Sequence, residues 1–330
     1  MFGYIMRRLA ASALVMVLIS MMVFALFFYG PSSPGQALCT GPRCTPERVE
    51  QINELLGFND PITQQYGEWA KGLVAGRDIT FGSSPINCPA PCLGISYQDR
   101  LPVSASIAEA FPKTLSLALG GAAIFLPLGV LLGTLAARRR GEATDRILVG
   151  TSITLSSIPY FLVALLAYLY FIIIWGILPS PDYTPLTENP LAWAGGLIVP
   201  WVVLGLFNST AYARFSRGSM VESLSEDYVR TARAKGLRER TVVVRHGLRA
   251  AIVPILTIFG LDFAALLAGT VLTEQIFGIQ GLGRLALASI APKDFPTISA
   301  TVLVAALIVV IANLVVDILY SVIDPRVHLS

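Results

Sequence analysis

Long uninterrupted apolar runs, rather than alternation, dominate this chain. Residues 9–29, 114–137, 147–175 and 191–213 carry no charge at all. Two further runs, 250–273 and 297–323, hold one carboxylate each, Asp262 and Asp317. About 20 mainly apolar residues are enough to cross roughly 30 Å of hydrocarbon as a helix. The pattern therefore predicts six transmembrane helices. The run 147–175 contains Pro159, which removes an amide donor and predicts a kink or interruption within one long span. No stretch shows the period of two that a membrane barrel requires, so the fold class is an all-α membrane protein. The first run, flanked by Arg7 and Arg8, is too long for a secretory leader and lacks a small-residue cleavage site before Pro31. It reads as a retained helix.

Composition sharpens this picture. Of 330 residues, 54% are hydrophobic and 14% charged, against about 25% charged in a soluble domain. A soluble globule is excluded for want of surface charge, and a disordered chain for excess of apolar residues. The net charge of +3 gives no nucleic-acid signal. With the N-terminus placed inside, 16 of the 24 Lys and Arg residues fall on inner segments, and the short outer loop 177–190 has none. That bias predicts an N-in, C-in topology.

The connections divide the chain further. Residues 1–29 are the N-terminal segment and first helix, 30–112 an extracytoplasmic subdomain, and 113–330 a core of five helices with a cytosolic segment at 214–249. Within the subdomain, 47–56 reads as a short helix, 74–84 as turns and extended chain, and 107–111 as a lead-in to the second span. It holds Cys39, Cys44, Cys88 and Cys92. In an oxidising compartment two disulfides are the leading reading, with a four-cysteine zinc site as the rival. Three connectivities are open; local pairs are possible, but cross-links between the two turns would staple the subdomain better.

The segment 214–249 carries nine basic residues and four acidic ones. Ser223 and Glu226 have capping-box spacing, Ser225 is an alternative N-cap, and Asp227 suits the first turn. Gly236 ends the helix this predicts over 226–236, with Tyr228, Ala232 and Lys235 on one side. By charge alone it is a solvated or lipid-facing basic loop, or a docking helix for a cytosolic partner.

Here a family resemblance enters. The stretch Glu226-Asp-Tyr-Val-Arg-Thr-Ala-Arg-Ala-Lys-Gly236-Leu resembles the cytosolic EAA loop of ABC importer permeases, in the form of the dipeptide/oligopeptide subfamily. In chain order, other motifs agree: Tyr4-Ile-x-Arg-Arg-Leu9, Gly57-x-x-x-Pro61 with Gln65-Tyr66, Ser157-Ile-Pro-Tyr-Phe161 and Arg245-His-Gly-Leu-Arg249. Glu274-x-Ile-Phe-Gly-Ile-x-Gly-Leu-Gly-Arg284, Asn313-Leu-Val-Val-Asp-x-Leu-Tyr320 and Asp324-Pro-Arg326 complete the set. The chain is similar to the B-type subunit. Thr231-Ala232 and Leu248-Arg249 depart from the general importer pattern, and the cysteine-bearing insertions are not a general family feature.

The resemblance implies a type I importer permease fold in a bacterial inner membrane. It also implies a second homologous permease, two cytosolic ATPase domains and an extracytoplasmic peptide-binding protein as partners. Glu226, Tyr228, Arg230, Thr231, Ala232, Arg233, Lys235, Gly236 and Leu237 would form the ATPase-coupling surface. Nickel chelates or glutathione are alternative cargoes of the same architecture; a secondary transporter or channel without ATPases is the alternative of another class.

The chemistry present is consistent with a non-catalytic subunit. None of the four lysines follows a glycine, so no P-loop exists, and ATP and Mg would be bound by the partner ATPases. There is no His-Glu-x-x-His or Gly-x-Ser-x-Gly motif, and no cofactor or metal is expected on this chain. Asp262, at mid-span, could face a translocation path, be protonated, or pair with the second permease. Asp317 lies four residues after Asn313 and suits interhelical hydrogen bonding. Thr151, Ser152, Thr154, Ser156 and Ser157 could line a wet path, together with Tyr160, or serve close packing. Gly129 and Gly133 have the spacing of a helix-packing face.

Overall fold

The computed structural model describes residues 2–28, 34–39, 44–55, 57–81 and 84–323. The side chain of Asp317 and the closing motif 324–326 lie outside the described residues. Five helices are long and apolar enough to cross a membrane, or six if one bent pair is counted as a single span. The chain divides into two compact units, one of residues 1–114 and 280–311, the other of 115–279 and 312–330.

In the first unit, α1 (Phe2–Phe28) is followed by three short helices, α2 (Pro34–Leu38), α3 (Pro46–Leu55) and α4 (Ile62–Ala75). Helix α3 matches the expected 47–56; the Thr45 hydroxyl accepts from Arg48 N at its start. Helix α4 is not legible in the sequence, because Gly67 and Gly72 dilute a weak apolar pattern. It forms because Trp69 can be buried, stacking beside Tyr66 and Phe24 of α1 at centroid distances of 5.7 and 6.1 Å. A left-handed Gly76 (φ +73°) ends it. The expected extended chain is an antiparallel hairpin, β1 (Arg77–Phe81) with β2 (Ser84–Cys88), pairing Ile79 with Ile86.

Disulfides join Cys39 to Cys44 and Cys88 to Cys92. The pairing is local, and the expected preference for cross-links between the turns is corrected. Each pair sits on one short turn with its Cα atoms 5.4 Å apart, already within bridging distance. The second bridge is fully buried and packs with Ile79, Ile86 and Ile95.

Helix α5 (Val103–Arg138) begins in the first unit and continues through the second. Its 36 residues exceed a membrane span, so the expected lead-in at 107–111 is simply its first turns. Also in the first unit are α13 (Leu282–Ile290) and the start of α14 (Phe295–Ile323). The Thr114 hydroxyl accepts from Leu282 N at 2.8 Å, tying α5 to the start of α13. At the start of α14, buried Asp294 accepts from the Ser96 and Thr297 hydroxyls at 2.6 and 2.8 Å and from Tyr97 N at 3.0 Å. It caps the helix and fastens the loop after the hairpin to it.

The second unit is built on α8 (Pro190–Ser225). The Asn189 side chain caps it, accepting from Leu191 N and Ala192 N at 3.1 Å. The helix runs well beyond residue 213, where the apolar run ends. Against it lies α5, through a line of glycines. A Cβ on Gly120 would come within 2.1 Å of the Trp201 ring, and one on Gly129 within 2.4 Å of Tyr212 Cβ. On Gly133 it would meet the Ala213 carbonyl at 2.5 Å and Ser216 Cβ at 2.6 Å. The predicted packing face is borne out.

The span with Pro159 is two helices, α6 (Ala143–Ser157) and α7 (Tyr160–Ala167), the latter continuing as a wide π-type turn over Tyr168–Ile174. The two limbs meet at 88°. Proline supplies no amide donor and holds Ile158 extended (φ −83°, ψ 130°). In α6, Ser152, Thr154, Ser156 and Ser157 each donate to the carbonyl four residues back, at 2.8–3.0 Å. These hydroxyls are therefore satisfied locally before any neighbour is considered. After α8 come α9 (Asp227–Ala234), α10 (Glu239–Thr241), a wide-turn segment Val242–Leu248, α11 (Arg249–Ala268) and α12 (Val271–Ile276).

Three outcomes test this fold. Gly133→Ala should destabilise the detergent-solubilised protein by about 1–3 kcal/mol through overpacking, seen in thermal unfolding. Gly150→Ala, at a helical glycine with open space around it, should be neutral or stabilising by up to about 1 kcal/mol. Non-reducing peptide mapping should yield linked pairs 39–44 and 88–92 and no cross-linked product.

Candidate functional site

Two regions of the second unit gather the chemistry. The first is α9 and its surroundings. The expected capping box is corrected: Ser223 and Ser225 lie inside α8 and their hydroxyls bond elsewhere. Ser223 Oγ donates to the Gly247 carbonyl at 2.8 Å and meets the Tyr228 hydroxyl at 3.1 Å. Ser225 Oγ donates back to the Val221 carbonyl at 2.7 Å. Glu226 occupies the N-cap position without a side-chain cap bond. A single extended residue thus separates α8 from α9.

Helix α9 lies on its own chain by Val229 and Ala232, which are buried against Val242 with Leu224 beside them. Ala232, expected on one side of the helix with Tyr228 and Lys235, is buried, whereas Tyr228 and Lys235 are exposed. Three further ties fix the helix. Tyr228 reaches Ser223, Arg233 grips Glu239 through two bonds of 3.2 and 2.9 Å, and Thr231 Oγ1 donates to the Asp227 carbonyl at 2.9 Å. Gly236 adopts φ +77° and its N–H closes on Arg233 O, so the chain turns sharply where the sequence indicated a stop. The side chains of Glu226, Arg230, Lys235 and Leu237 are exposed, with Arg230 pairing loosely with Asp227 at 3.3 Å. The result is a preformed basic helix held from beneath and offered to solvent.

The second region is the polar seam along α8. Arg217 clasps Asp145 of α6 through Nε and Nη2 at 2.5 and 2.7 Å, and Gly141 N adds a third bond at 2.9 Å. Arg214 Nη1 donates to Ser156 Oγ at 2.7 Å and to the Ser152 carbonyl at 3.0 Å. Ser156 also meets Thr210 at 2.8 Å. Tyr160 of α7 meets Thr273 of α12 at 2.7 Å, and Tyr212 donates to Asp262 of α11 at 2.9 Å. Beside Thr273, Glu274 is fully buried and accepts from Thr270 Oγ1 at 3.2 Å.

Of the residues expected to line a path, Ser156, Tyr160 and Asp262 therefore sit on interhelical hydrogen bonds. Ser157 is exposed, and its hydroxyl returns to the Ile153 carbonyl. Sequence reasoning missed Asp145, Thr210, Tyr212, Arg214, Arg217 and Thr273. The signal for the arginines was present, but they read as part of a cytosolic loop because α8 was expected to end at 213. Among the described residues no group of three or more His, Cys, Asp or Glu side chains is arranged to hold a metal ion.

These features, apolar helices long enough to cross a membrane, a polar seam between them and a short exposed basic helix, are those of an integral membrane protein. Residues 129–329 match the family described as the binding-protein-dependent transport system inner membrane component, and residues 1–118 match its N-terminal membrane component. The chain belongs to this family of inner-membrane permeases. It is 37% identical over 328 residues to a peptide transport system permease protein of Brucella suis, covering 99% of each chain. It is 32% identical over 351 residues to the dipeptide transport system permease protein DppB of Escherichia coli K12, again covering 99% of each.

The interhelical bond of Tyr212 with Asp262 can be measured. A double-mutant cycle of Tyr212→Phe with Asp262→Leu in the solubilised protein should give a coupling of about 0.6–2 kcal/mol, the range of hydrogen bonds within membranes.

Proposed function

We propose that this chain is the B-type permease subunit of an ATP-driven peptide importer, oriented N-in and C-in. It pairs with a second homologous permease, and each permease docks one of two cytosolic ATPase domains. An extracytoplasmic binding protein delivers the cargo. Support for the cargo comes from the peptide and dipeptide permeases to which the whole chain is similar. The observation that carries the coupling role is the anchoring of α9 from below by Val229 and Ala232, with Arg230, Lys235 and Leu237 left exposed.

The mechanics follow from that anchoring. Closure of the ATPase pair on ATP displaces α9 as a body. Val229 and Ala232 press on Val242, which leads into α11, while Tyr228 pulls on Ser223 at the end of α8. Both helices carry the polar seam, so their displacement reorients Asp262, Ser156 and Tyr160 between the outward and inward openings. Ser157 completes the hydroxyl face of that path. Hydrolysis and release return the bundle to its inward state.

The test uses the assembled complex in proteoliposomes. Arg230→Glu with Lys235→Glu should lower peptide uptake and peptide-stimulated ATPase activity at least about fivefold, the scale of a buried interface contact, while the complex still assembles. Arg233→Glu should be similarly damaging, and adding Glu239→Arg should recover much of the loss by restoring the bridge. Unchanged uptake in the first variant would overturn the coupling role.

A further inference from the structure

The first unit contains a cavity of about 210 Å³ that the transport reading does not use. It is walled by the far end of α1, by α4, by the hairpin, by the loop after it and by the start of α14. Most of the wall is apolar and aromatic, including Phe24, Phe58, Trp69 and Phe295. Two opposite charges line it as well, Arg77 and Glu68.

Arg77 is unusual. Its Nε is buried with no hydrogen-bond partner, and it forms no ion pair among the described residues. Burial lowers its pKa from the ordinary arginine value, and only the field of Glu68 and Tyr97 offsets part of that shift. A buried donor left unmet costs free energy that an incoming acceptor would recover. The side chain is also accommodated on purpose-shaped ground. It runs across Gly72 of α4, where a Cβ would stand 3.0 Å from Arg77 Cδ.

Glu68 lies one helical turn before Gly72, so it shares that face of α4. It is exposed and makes no ion pair of its own among the described residues. The two charges thus face one cavity without neutralising each other. Gln65, on the same face, spends its amide nitrogen on the Phe58 and Asp60 carbonyls at 2.9 and 2.8 Å. Its oxygen is left as a second acceptor beside Glu68. The carboxylate of Asp294 accepts from Ser96, Tyr97 and Thr297 and forms no ion pair with Arg77.

We infer that this cavity binds a small zwitterion of amino-acid size bearing one apolar side chain. Its carboxylate meets Arg77, its ammonium meets Glu68 and Gln65, and its side chain lies among Phe58, Trp69 and Phe295. The volume is below the roughly 300–1,000 Å³ of pockets for larger ligands, which favours a single residue over an extended peptide. A fatty acid would satisfy Arg77 but leave Glu68 facing an apolar chain. The site is independent of the transport reading, since none of its residues belongs to α9 or the polar seam.

The experiment titrates the full-length protein in nanodiscs with L-leucine, leucinamide, N-acetyl-L-leucine and decanoate, read by calorimetry and by tryptophan fluorescence. L-Leucine should bind saturably. Leucinamide, without the carboxylate, and N-acetyl-L-leucine, without the ammonium, should each bind roughly tenfold to a hundredfold more weakly, as the loss of one charged hydrogen bond predicts. Arg77→Gln should weaken L-leucine binding by a similar factor, and Trp69→Phe should remove the fluorescence change while retaining heat. The ligand series needs no variant, so misfolding of one leaves the comparison intact. No saturable L-leucine binding would overturn the inference. So would decanoate binding as tightly as L-leucine, or leucinamide binding equally well.

Discussion

Backbone-close packing of α5 against α8 is the constraint on which the second unit rests. Among helices surrounded by lipid, burying apolar side chains against one another gains little over leaving them in hydrocarbon, so contact distance and hydrogen bonding must supply the affinity. Gly120, Gly129 and Gly133 supply the distance, admitting Trp201, Tyr212 and the Ala213 carbonyl where any Cβ would collide. With α8 seated, its polar side chains are aimed. Arg214 and Arg217 turn to α6, and Tyr212 turns to α11. The glycine line seats α8, and the seam is made by the side chains that α8 then presents to α6 and α11.

The same helix passes its placement on to α9. Only Glu226 separates α8 from α9, and the Ser223 hydroxyl bonds to both Tyr228 and the Gly247 carbonyl. Three elements converge on that one side chain: the end of α8, the start of α9 and the wide turn before α11. Beneath, Val229, Ala232 and Val242 form a small apolar contact that keeps α9 from peeling away. The first unit has its own counterpart in Asp294, whose three donors hold the loop after the hairpin onto α14.

Much of this was legible in the sequence because membrane burial writes itself as length. Uncharged runs marked the long apolar helices, Pro159 marked the break, and Gly129 with Gly133 marked a packing face. Gly236 marked the end of α9. What escaped depended on partners distant in the chain. Helix α8 continues to Ser225 because Arg214 and Arg217 find Ser156 and Asp145, and a local reading sees only basic residues leaving a membrane. The capping box failed because the Ser223 and Ser225 hydroxyls had better acceptors in Gly247 and Val221. Helix α4 owes its existence to the burial of Trp69 beside α1, and its two glycines hid it. The cysteine pairing obeyed proximity on two turns instead of the entropy of longer loops.

The corner between α6 and α7 gives the seam a mechanical meaning. Helix α6 is fastened to α8 near both of its ends, by Asp145 with Arg217 and by Ser156 with Thr210 and Arg214. Its remaining hydroxyls, bonded to their own carbonyls, ask nothing of a neighbour. A rod pinned at two points turns with what it is pinned to. Any relative rotation between that rod and α7 must be absorbed at Ile158–Pro159, where proline has already removed a backbone donor. The bend is thus the compliant joint of an otherwise braced pair, and stiffness on either side of it decides where strain collects.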